Sequence, residues 1–324
     1  MLKFLHCNKK WWRCRIILGQ RLFLKNYCIR RFICTSDGVQ KSNEDRLKPV
    51  KLAFDSYRFT KTTVPSSPVV ILHGLLGSKS NWRSLSKEIA RVTGTKIYAV
   101  DVRNHGESPH STEFDYRHMA EDLIHFLNEM NIKKSLLVGH SMGGRISMFV
   151  ALSKPELVER LVVVDVSPIN VPSDFHAEIF QYLQAMKLSL KQLPEGVSLS
   201  DARQLINNYL VPIVPNIATR QFLLTNLVEI NKEVKWRCNL DVILDKFVTG
   251  VSTFPPVMAK FDKDTLFICG ERSPYVLKED HEKIRSIFPK VKFSYVEGAG
   301  HWVHSEKPSE FLKLLIEFIQ NKTD

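Results

Sequence analysis

The sequence predicts an α/β protein with a mostly parallel central sheet, helices on both faces of that sheet and an inserted helical cap. Short apolar runs alternate with amphipathic helical segments at both ends of the chain. Apolar runs of this kind are typical of strands that are buried on both faces. In the middle block, helical patterns follow one another without strands. We therefore expect a core from residues 51–168 and 254–321, with the cap at 169–253.

The elements follow from the spacing of apolar residues. Residues 51–59 partly alternate apolar and polar side chains, whereas the later strands are continuous apolar runs. Apolar residues recur at helical spacing from Tyr116 to Met130, which indicates an amphipathic helix. Further strands are predicted at 69–72, 96–100, 136–138, 161–164, 265–269 and 292–296. Further helices are predicted near 81 and at 146–152, 175–190, 199–210, 220–232, 240–249, 279–288 and 309–319.

The sequence Gly139-His140-Ser141-Met142-Gly143 lies between a predicted strand and a predicted helix. A strand that turns at once into a helix forces its central residue into a strained backbone conformation, and flanking side chains would collide. This G-x-S-x-G pattern therefore predicts a nucleophile elbow that exposes the hydroxyl of Ser141. The first backbone N–H groups of the helix would face an oxyanion formed there.

A serine hydroxyl needs a base, and an acid must orient that base. His301 is the best candidate base because it directly follows a predicted strand in Glu297-Gly-Ala-Gly-His301. His304 is expected at a helix start instead. Roles in shaping loops and turns suit the three remaining histidines near these patterns, which are His73, His105 and His140.

A second oxyanion donor is expected from the loop after the first buried parallel strand. The glycine-containing sequence His73-Gly-Leu75-Leu-Gly77 occupies that place. We predict that the backbone N–H groups of Leu75 and Met142 form the oxyanion hole.

Residues 1–36 contain nine of the 46 basic residues and no acidic residue. Apolar clusters interrupted by arginine and lysine are typical of a mitochondrial presequence, and a polar linker at 37–50 follows. We therefore expect a location in the mitochondrial matrix. The remaining chain has 37 basic and 34 acidic residues, so its charge does not favour nucleic-acid binding. No apolar run reaches the ~18 residues of a transmembrane segment.

Four of the six cysteines lie in the predicted presequence, and only Cys238 and Cys269 remain in the body. Neither shows a CxxC pattern or a Cys/His metal spacing. We expect free thiols in a reducing compartment, no metal and no cofactor.

Five stretches of the chain, HGLLGSKSNW, DVRNHGES, GHSMGG, VVVDVSP and AGHWVHSEKP, together resemble the α/β-hydrolase fold family. Within that family, residues 51–319 are similar to mitochondrial abhydrolase-domain proteins of animals and to small bacterial esterases. The resemblance implies a serine hydrolase of lipid ester bonds, with diacylglycerol lipase activity as the usual assignment for the animal members. It also implies contact with a mitochondrial 2-oxoacid dehydrogenase complex.

The chain departs from the family pattern at the acid. Most members carry an aspartate where this sequence has Ser273, in Gly270-Glu-Arg-Ser273. Asp165 ends the strand after the elbow and can reach the same histidine from the neighbouring strand end, with Ser273 as an auxiliary hydrogen-bonding residue. Asp241 is an alternative, because the acid of animal relatives has been placed at a matching position. Glu271 is a third candidate.

These residues predict acyl transfer from a lipid ester to water through a Ser-His-Asp acyl-enzyme mechanism. Acyl thioesterase activity and a non-catalytic partner role are the alternatives. Aromatic and aliphatic cap residues are candidates for an acyl pocket, namely Phe175, Phe180, Tyr182, Met186, Phe222 and Leu223.

Overall fold

A computed structural model describes residues 47–59, 67–169 and 173–321, with the side chains of 173–175 left out. The predicted presequence at 1–36 and residues 37–46 of the predicted linker lie outside the described residues. No helix in the described part of the chain is both long enough and apolar enough to cross a lipid bilayer. Cys238 and Cys269 are buried free thiols.

Seven strands form the main sheet in the order β1-β3-β2-β4-β5-β8-β9. Among the described strands of this main sheet, only β1 pairs antiparallel to its neighbour, so the prediction of a mostly parallel sheet is confirmed. The strands are β1 Phe54–Tyr57, β2 Val69–Leu72, β3 Ile97–Val100, β4 Ser135–His140, β5 Val158–Val164, β8 Thr265–Gly270 and β9 Val291–Val296, with the cap strands β6 Leu227–Ile230 and β7 Glu233–Trp236.

Ten α-helices flank or follow these strands in the described residues, and several begin at a capping side chain. Asp115 accepts hydrogen bonds from the backbone N–H groups of Arg117 and His118 at the start of α2. The helices are α1 Arg83–Thr93, α2 Tyr116–Glu129, α3 Met142–Ser153, α4 Ser173–Ser189, α5 Leu199–Leu210, α6 Ile217–Leu224, α7 Leu240–Lys246, α8 His281–Ile287, α9 Val303–Glu306 and α10 Pro308–Gln320.

The two faces of the sheet are buried against different helices. Val69 and Ile71 of β2 pack in one cluster with residues of α1 and α10. Val70 and Leu72 of the same strand pack on the opposite face with residues of α2 and α3. Because successive side chains of a strand point to opposite faces, a continuous apolar run is needed to fill both layers.

The segment between β5 and β8 forms the cap, from α4 to α7 with the β6–β7 hairpin. The predicted helix at 220–232 is wrong beyond Leu224, because α6 ends there and the hairpin follows. Asn231 and Lys232 make its turn with φ of 53° and 64°. Two consecutive positive φ angles are typical of a tight hairpin turn, which this polar pair allows.

Candidate active site

Ser141 lies between the last residue of β4 and the first residue of α3, in the turn that the sequence predicts. Its φ of 52° and ψ of −118° place it in a strained backbone conformation. A Cβ atom at Gly139 would lie 2.2 Å from the carbonyl oxygen of Gly143, and one at Gly143 would lie 2.5 Å from the carbonyl oxygen of Leu72. The turn is therefore too tight for any side chain at either glycine.

The carboxylate of Asp165 holds the imidazole of His301. Asp165 directly follows β5 and its side chain is fully buried. Its Oδ2 accepts a hydrogen bond from Nδ1 of His301 at 2.7 Å, and Ser273 Oγ donates to the same oxygen. Its Oδ1 accepts from the backbone N–H of Gly270 at 2.9 Å. With the proton on Nδ1, the Nε2 atom of His301 is left as the basic nitrogen.

The other two candidate acids lie elsewhere. Asp241 is in the first turn of α7, where its exposed carboxylate pairs with Lys187 Nζ at 2.7 Å. Glu271 accepts a hydrogen bond from the backbone N–H of Gly298 at 2.8 Å. Of the three carboxylates, the structure brings that of Asp165 to the imidazole.

Ser141 and His301 line one cavity of about 750 Å³, which we call the apolar cavity. Among the described residues, no hydrogen bond joins the Ser141 hydroxyl to the imidazole. Catalytic hydrogen bonds of this kind often tighten only when substrate binds. The ring of Tyr275 stacks on that of His301 with the centroids 4.0 Å apart. Nε2 of His140 donates to the carbonyl oxygen of His301 at 3.0 Å, which fixes the loop that carries the base.

The two predicted oxyanion donors lie in different elements, with Leu75 in the loop after β2 and Met142 at the first position of α3. In the described part of the chain, the N–H groups of Leu75 and Met142 donate to no protein acceptor, so both can serve a ligand. The neighbouring N–H of Leu76 donates to Nε2 of His105 at 3.0 Å. His73 donates from Nδ1 to the carbonyl oxygen of Gly74 at 2.8 Å. These two histidines therefore shape the loop, as their positions in the sequence indicate.

Four buried histidines surround these groups without carrying charge at neutral pH. Burial lowers the pKa of His105 to about 3 and that of His304 to about 3. Burial also lowers the pKa of His73, and it lowers the pKa of His140 well below its usual value. His304 stacks on Trp82 with the ring centroids 4.4 Å apart. These four imidazoles therefore add no positive charge beside Ser141 at neutral pH.

The wall of the apolar cavity comes from the core and the cap. Of the predicted pocket residues, Tyr182, Phe222 and Leu223 line it. Met186 is fully buried within the hydrophobic core and Phe180 packs against that core, so neither lines this cavity. The side chain of Phe175 lies outside the described residues. The lining also includes Leu75, Leu76, Trp82, Ile179, Tyr275 and Trp302.

The sequence patterns do not point to two residues beside Ser141 and His301. Tyr275 stacks on His301, and Arg145 lines a further cavity together with Ser141. Tyr275 lies two positions after Ser273, and Arg145 lies one helical turn after Ser141. Their proximity to those residues in the chain was the available signal, because residues four apart on a helix share one face.

The described residues contain one group whose spacing could hold a metal, formed by Glu113, Asp115 and His118. It lies in the loop before α2 and in its first turn, and Nδ1 of His118 is already 2.8 Å from Asp115 Oδ2. None of these residues lines the cavity that contains Ser141.

Comparison with known proteins agrees with this geometry. Residues 67–308 match the family model described as "alpha/beta hydrolase fold". The chain is 40% identical over 297 residues to "sn-1-specific diacylglycerol lipase ABHD11" of Danio rerio, covering 90% of each chain. It is 32% identical to "Ethanol acetyltransferase 1" of Wickerhamomyces anomalus, covering 84% of this chain and 75% of that protein.

A solved structure described as "Marine microorganism esterase" superposes with a TM-score of 0.73 at 31% identity, covering 83% of this chain and 99% of that one. The sheet order, the strained serine turn, the family match and these similarities lead to one conclusion. The chain belongs to the α/β-hydrolase fold family and is a carboxylic ester hydrolase.

Proposed function

We propose that the protein cleaves carboxylic ester bonds of lipids, with diacylglycerol as the substrate class, through an acyl-enzyme on Ser141. The observation that carries this proposal is the 2.7 Å hydrogen bond from His301 Nδ1 to buried Asp165 beside the cavity that contains Ser141. That bond fixes the tautomer in which Nε2 of His301 can act as a base.

The reaction has two acyl transfers. The Ser141 hydroxyl gives its proton to Nε2 of His301 while its oxygen bonds to the ester carbonyl carbon. The N–H groups of Leu75 and Met142 donate to the oxygen that becomes negative. Nε2 then returns the proton to the alcohol oxygen as the ester bond breaks. Water repeats both steps on the acyl-enzyme, which releases the acid and restores Ser141.

The lining of the apolar cavity supports a lipid substrate. Aromatic and aliphatic side chains such as Tyr182, Phe222 and Leu223 would exclude water from a hydrocarbon chain. The similarity to proteins named as diacylglycerol lipases supports the same substrate class.

Labelling with a fluorophosphonate probe, followed by hydrolysis assays, tests this proposal. We expect the wild-type protein to be labelled and Ser141→Ala to remain unlabelled. Diacylglycerols, monoacylglycerols, p-nitrophenyl esters and acyl thioesters should then be compared, with Ser141→Ala as the blank. Absence of labelling, with a control esterase labelled alongside, would contradict the catalytic proposal.

A second candidate activity is acyl transfer to an alcohol, which the similarity to a named ethanol acetyltransferase favours. The same acyl-enzyme serves both reactions, and the acceptor decides the product. Adding ethanol to the hydrolysis assay separates the two activities, because a transferase would form the ethyl ester at the expense of the free acid.

The thioesterase alternative has its own test. Faster cleavage of thioesters than of matched oxygen esters would favour it.

Residues 1–36 support an assignment to the mitochondrial matrix, because they carry nine basic residues and no acid. Fusing residues 1–40 to a fluorescent protein tests this assignment, and a diffuse cytosolic signal would overturn it.

Contact with a 2-oxoacid dehydrogenase complex is a separate proposal. Its test is co-purification with that complex from mitochondria, with Ser141→Ala included to show whether contact requires catalysis.

A further inference from the structure

A second cavity lies against Ser141. It has a volume of about 430 Å³ and, unlike the apolar cavity, it contains a buried charged side chain. We call it the Arg145 cavity. Its lining includes Ser141, Met142, Leu75, Arg145, His176 and Tyr275.

Arg145 lies in the first turn of α3, and its backbone N–H donates to the carbonyl oxygen of Ser141 at 3.1 Å. The residue is only 5% exposed. Its guanidinium donates from Nε to the carbonyl oxygen of Ser167 at 3.2 Å and from Nη1 to that of Ser252 at 2.8 Å. In the described part of the chain, Nη2 is buried and has no hydrogen-bond partner. Within the described residues, the guanidinium is thus held rigidly with one donor group unused.

No described carboxylate forms an ion pair with this cation. Asp165 is occupied by His301, Ser273 and Gly270. The hydroxyl of Tyr116 lies near the guanidinium and donates to the carbonyl oxygen of Val251 at 2.8 Å.

His176 adds no second positive charge to this cavity. Burial, and after it the positive charge of Arg145, lower the pKa of its imidazole, so it stays neutral at pH 7. A buried cation that no described carboxylate pairs with is costly, and the natural partner for a rigid guanidinium is a carboxylate.

The position of His301 indicates which part of an ester would enter the Arg145 cavity. The departing alcohol must receive its proton from His301, which lines the apolar cavity but not the Arg145 cavity. The acyl group would then extend away from His301, towards Arg145.

We propose that the Arg145 cavity binds a short acyl group that ends in a carboxylate, with Nη2 of Arg145 donating to that carboxylate. Half-esters of short dicarboxylic acids with an apolar alcohol part would then be a second class of acyl donor, beside the diacylglycerols of the proposed function. This inference rests on the proposed function of Ser141 and His301, and it adds a further acyl group that they can transfer.

Two matched esters test the proposal, p-nitrophenyl hydrogen glutarate and its methyl-capped neutral counterpart. We expect wild-type protein to show the higher kcat/KM with the charged ester. In Arg145→Gln, the ratio of charged to neutral kcat/KM should fall by about 10- to 100-fold, as expected for a lost hydrogen bond to a charged group. Arg145→Lys should retain part of the preference, since it keeps the charge but loses the planar donor geometry.

Arg220→Gln is the matched control. Arg220 is also buried and donates to the carbonyl oxygens of Val214 and Pro215 at 2.7 and 2.9 Å, but it does not line the Arg145 cavity. Its substitution should leave the charged-to-neutral ratio unchanged. An unchanged ratio in folded Arg145→Gln, or a wild-type preference for the neutral ester, would overturn the proposal.

A measurement on the wild-type protein decides the matter if Arg145→Gln does not fold. Glutarate should slow fluorophosphonate labelling of Ser141 relative to chloride at equal ionic strength, and absence of protection would overturn the proposal.

Failure of the proposed catalytic function has a different signature, because neither ester would then show Ser141-dependent hydrolysis. In that case the binding of glutarate to Ser141→Ala can still be measured as a rise in its thermal unfolding temperature. Such a rise would support the carboxylate site.

Discussion

The carboxylate of Asp165 accepts a hydrogen bond from Nδ1 of His301 across 136 residues of sequence. Asp165 follows β5 and His301 lies in the loop after β9, with β8 between these strands in the sheet. Ser273, in the loop after β8, donates to the same carboxylate. Residues at the carboxyl ends of three adjacent parallel strands thus orient one imidazole. Open α/β sheets bind their ligands at this edge, outside the carboxyl ends of the strands.

Replacing Asp165 by asparagine should lower kcat by a factor on the order of 10⁴, because an amide cannot hold the same imidazole tautomer or stabilise its protonated form. The measurement is steady-state hydrolysis of a p-nitrophenyl ester. Asp241→Asn is the control, since its exposed carboxylate pairs with Lys187 and, among the described residues, does not contact His301. We expect it to change kcat less than twofold, as surface ion pairs contribute little. Equal losses in the two variants would contradict this assignment of the acid.

Ser273 is predicted to act as a positioning residue. In Ser273→Ala, the Asp165 carboxylate loses one donor but keeps His301 and the backbone N–H of Gly270. We expect kcat to fall about tenfold, with little change in KM, because substrate contacts are intact. Threonine keeps the hydroxyl, so Ser273→Thr should recover most of the rate. A loss in Ser273→Thr as large as that in Ser273→Ala would argue against the hydroxyl as the cause.

A carboxylate at position 273 should replace the one at position 165. The Ser273 hydroxyl contacts the same Asp165 oxygen that binds His301, so an aspartate side chain at 273 can approach Nδ1. The double variant Asp165→Asn/Ser273→Asp should therefore be at least about tenfold more active than Asp165→Asn alone. An activity equal to that of Asp165→Asn would show that position 273 cannot supply the acid. Unfolding in urea checks that the double variant folds.

The nucleophile turn and the histidine loop could be predicted from the sequence, because each depends on local contacts. Gly139 and Gly143 are needed by a turn of a few residues. The partner of His301 could not be chosen in the same way, since Asp165, Asp241 and Glu271 are all acidic residues near predicted strand or cap ends. Which of them reaches the imidazole depends on the order of β5, β8 and β9 across the sheet. Strand order is a long-range property that apolar spacing does not encode.

The cap shows a different limit of sequence analysis. Residues 220–232 contain enough apolar residues at helical spacing to predict one helix, yet the chain changes to a hairpin after Leu224. The deciding residues are Asn231 and Lys232, whose positive φ angles close the turn. Packing of Leu227 and Trp236 in the hydrophobic core then favours strands over helix. Tertiary packing of this kind overrides local propensity.

Gly139→Ala should destabilise the protein strongly. Its Cβ would lie 2.2 Å from the carbonyl oxygen of Gly143, so the backbone of the nucleophile turn has to move. We expect a loss of at least about 3 kcal/mol in the free energy of unfolding, measured in urea. Gly196→Ala is the matched control, because Gly196 has a φ of +70° but no atom within 4 Å of the added Cβ. It should cost only about 1 kcal/mol. Gly139 does not share the positive φ of Gly196, so similar losses in the two variants would contradict the close contact as the main cost at Gly139.

His304 should make the protein sensitive to acid. Burial, and after it the charge of His301, lower the pKa of His304 to about 3 in the folded protein, against about 6.5 in an unfolded chain. Between these values the unfolded chain binds a proton that the folded protein excludes, so stability is lost as the pH falls from 6.5 towards 3. The loss is about 1.4 kcal/mol per pH unit, or about 2 kcal/mol between pH 7 and pH 5.

His304→Phe removes the titrating group while keeping an aromatic ring on Trp82, and Nδ1 of His304 has no hydrogen-bond partner in the described residues. Urea unfolding at pH 7 and pH 5 should therefore show a pH-dependent loss that is about 2 kcal/mol smaller in this variant. His105→Gln removes a group of the same lowered pKa but breaks the bond from the N–H of Leu76. It should reduce the pH dependence equally and lower stability at pH 7 as well. Phenylalanine cannot bind a proton at position 304 when the chain unfolds. If His304→Phe nevertheless lost as much stability as wild type between the two pH values, the proton taken up on unfolding would bind elsewhere, and the assignment to His304 would be wrong.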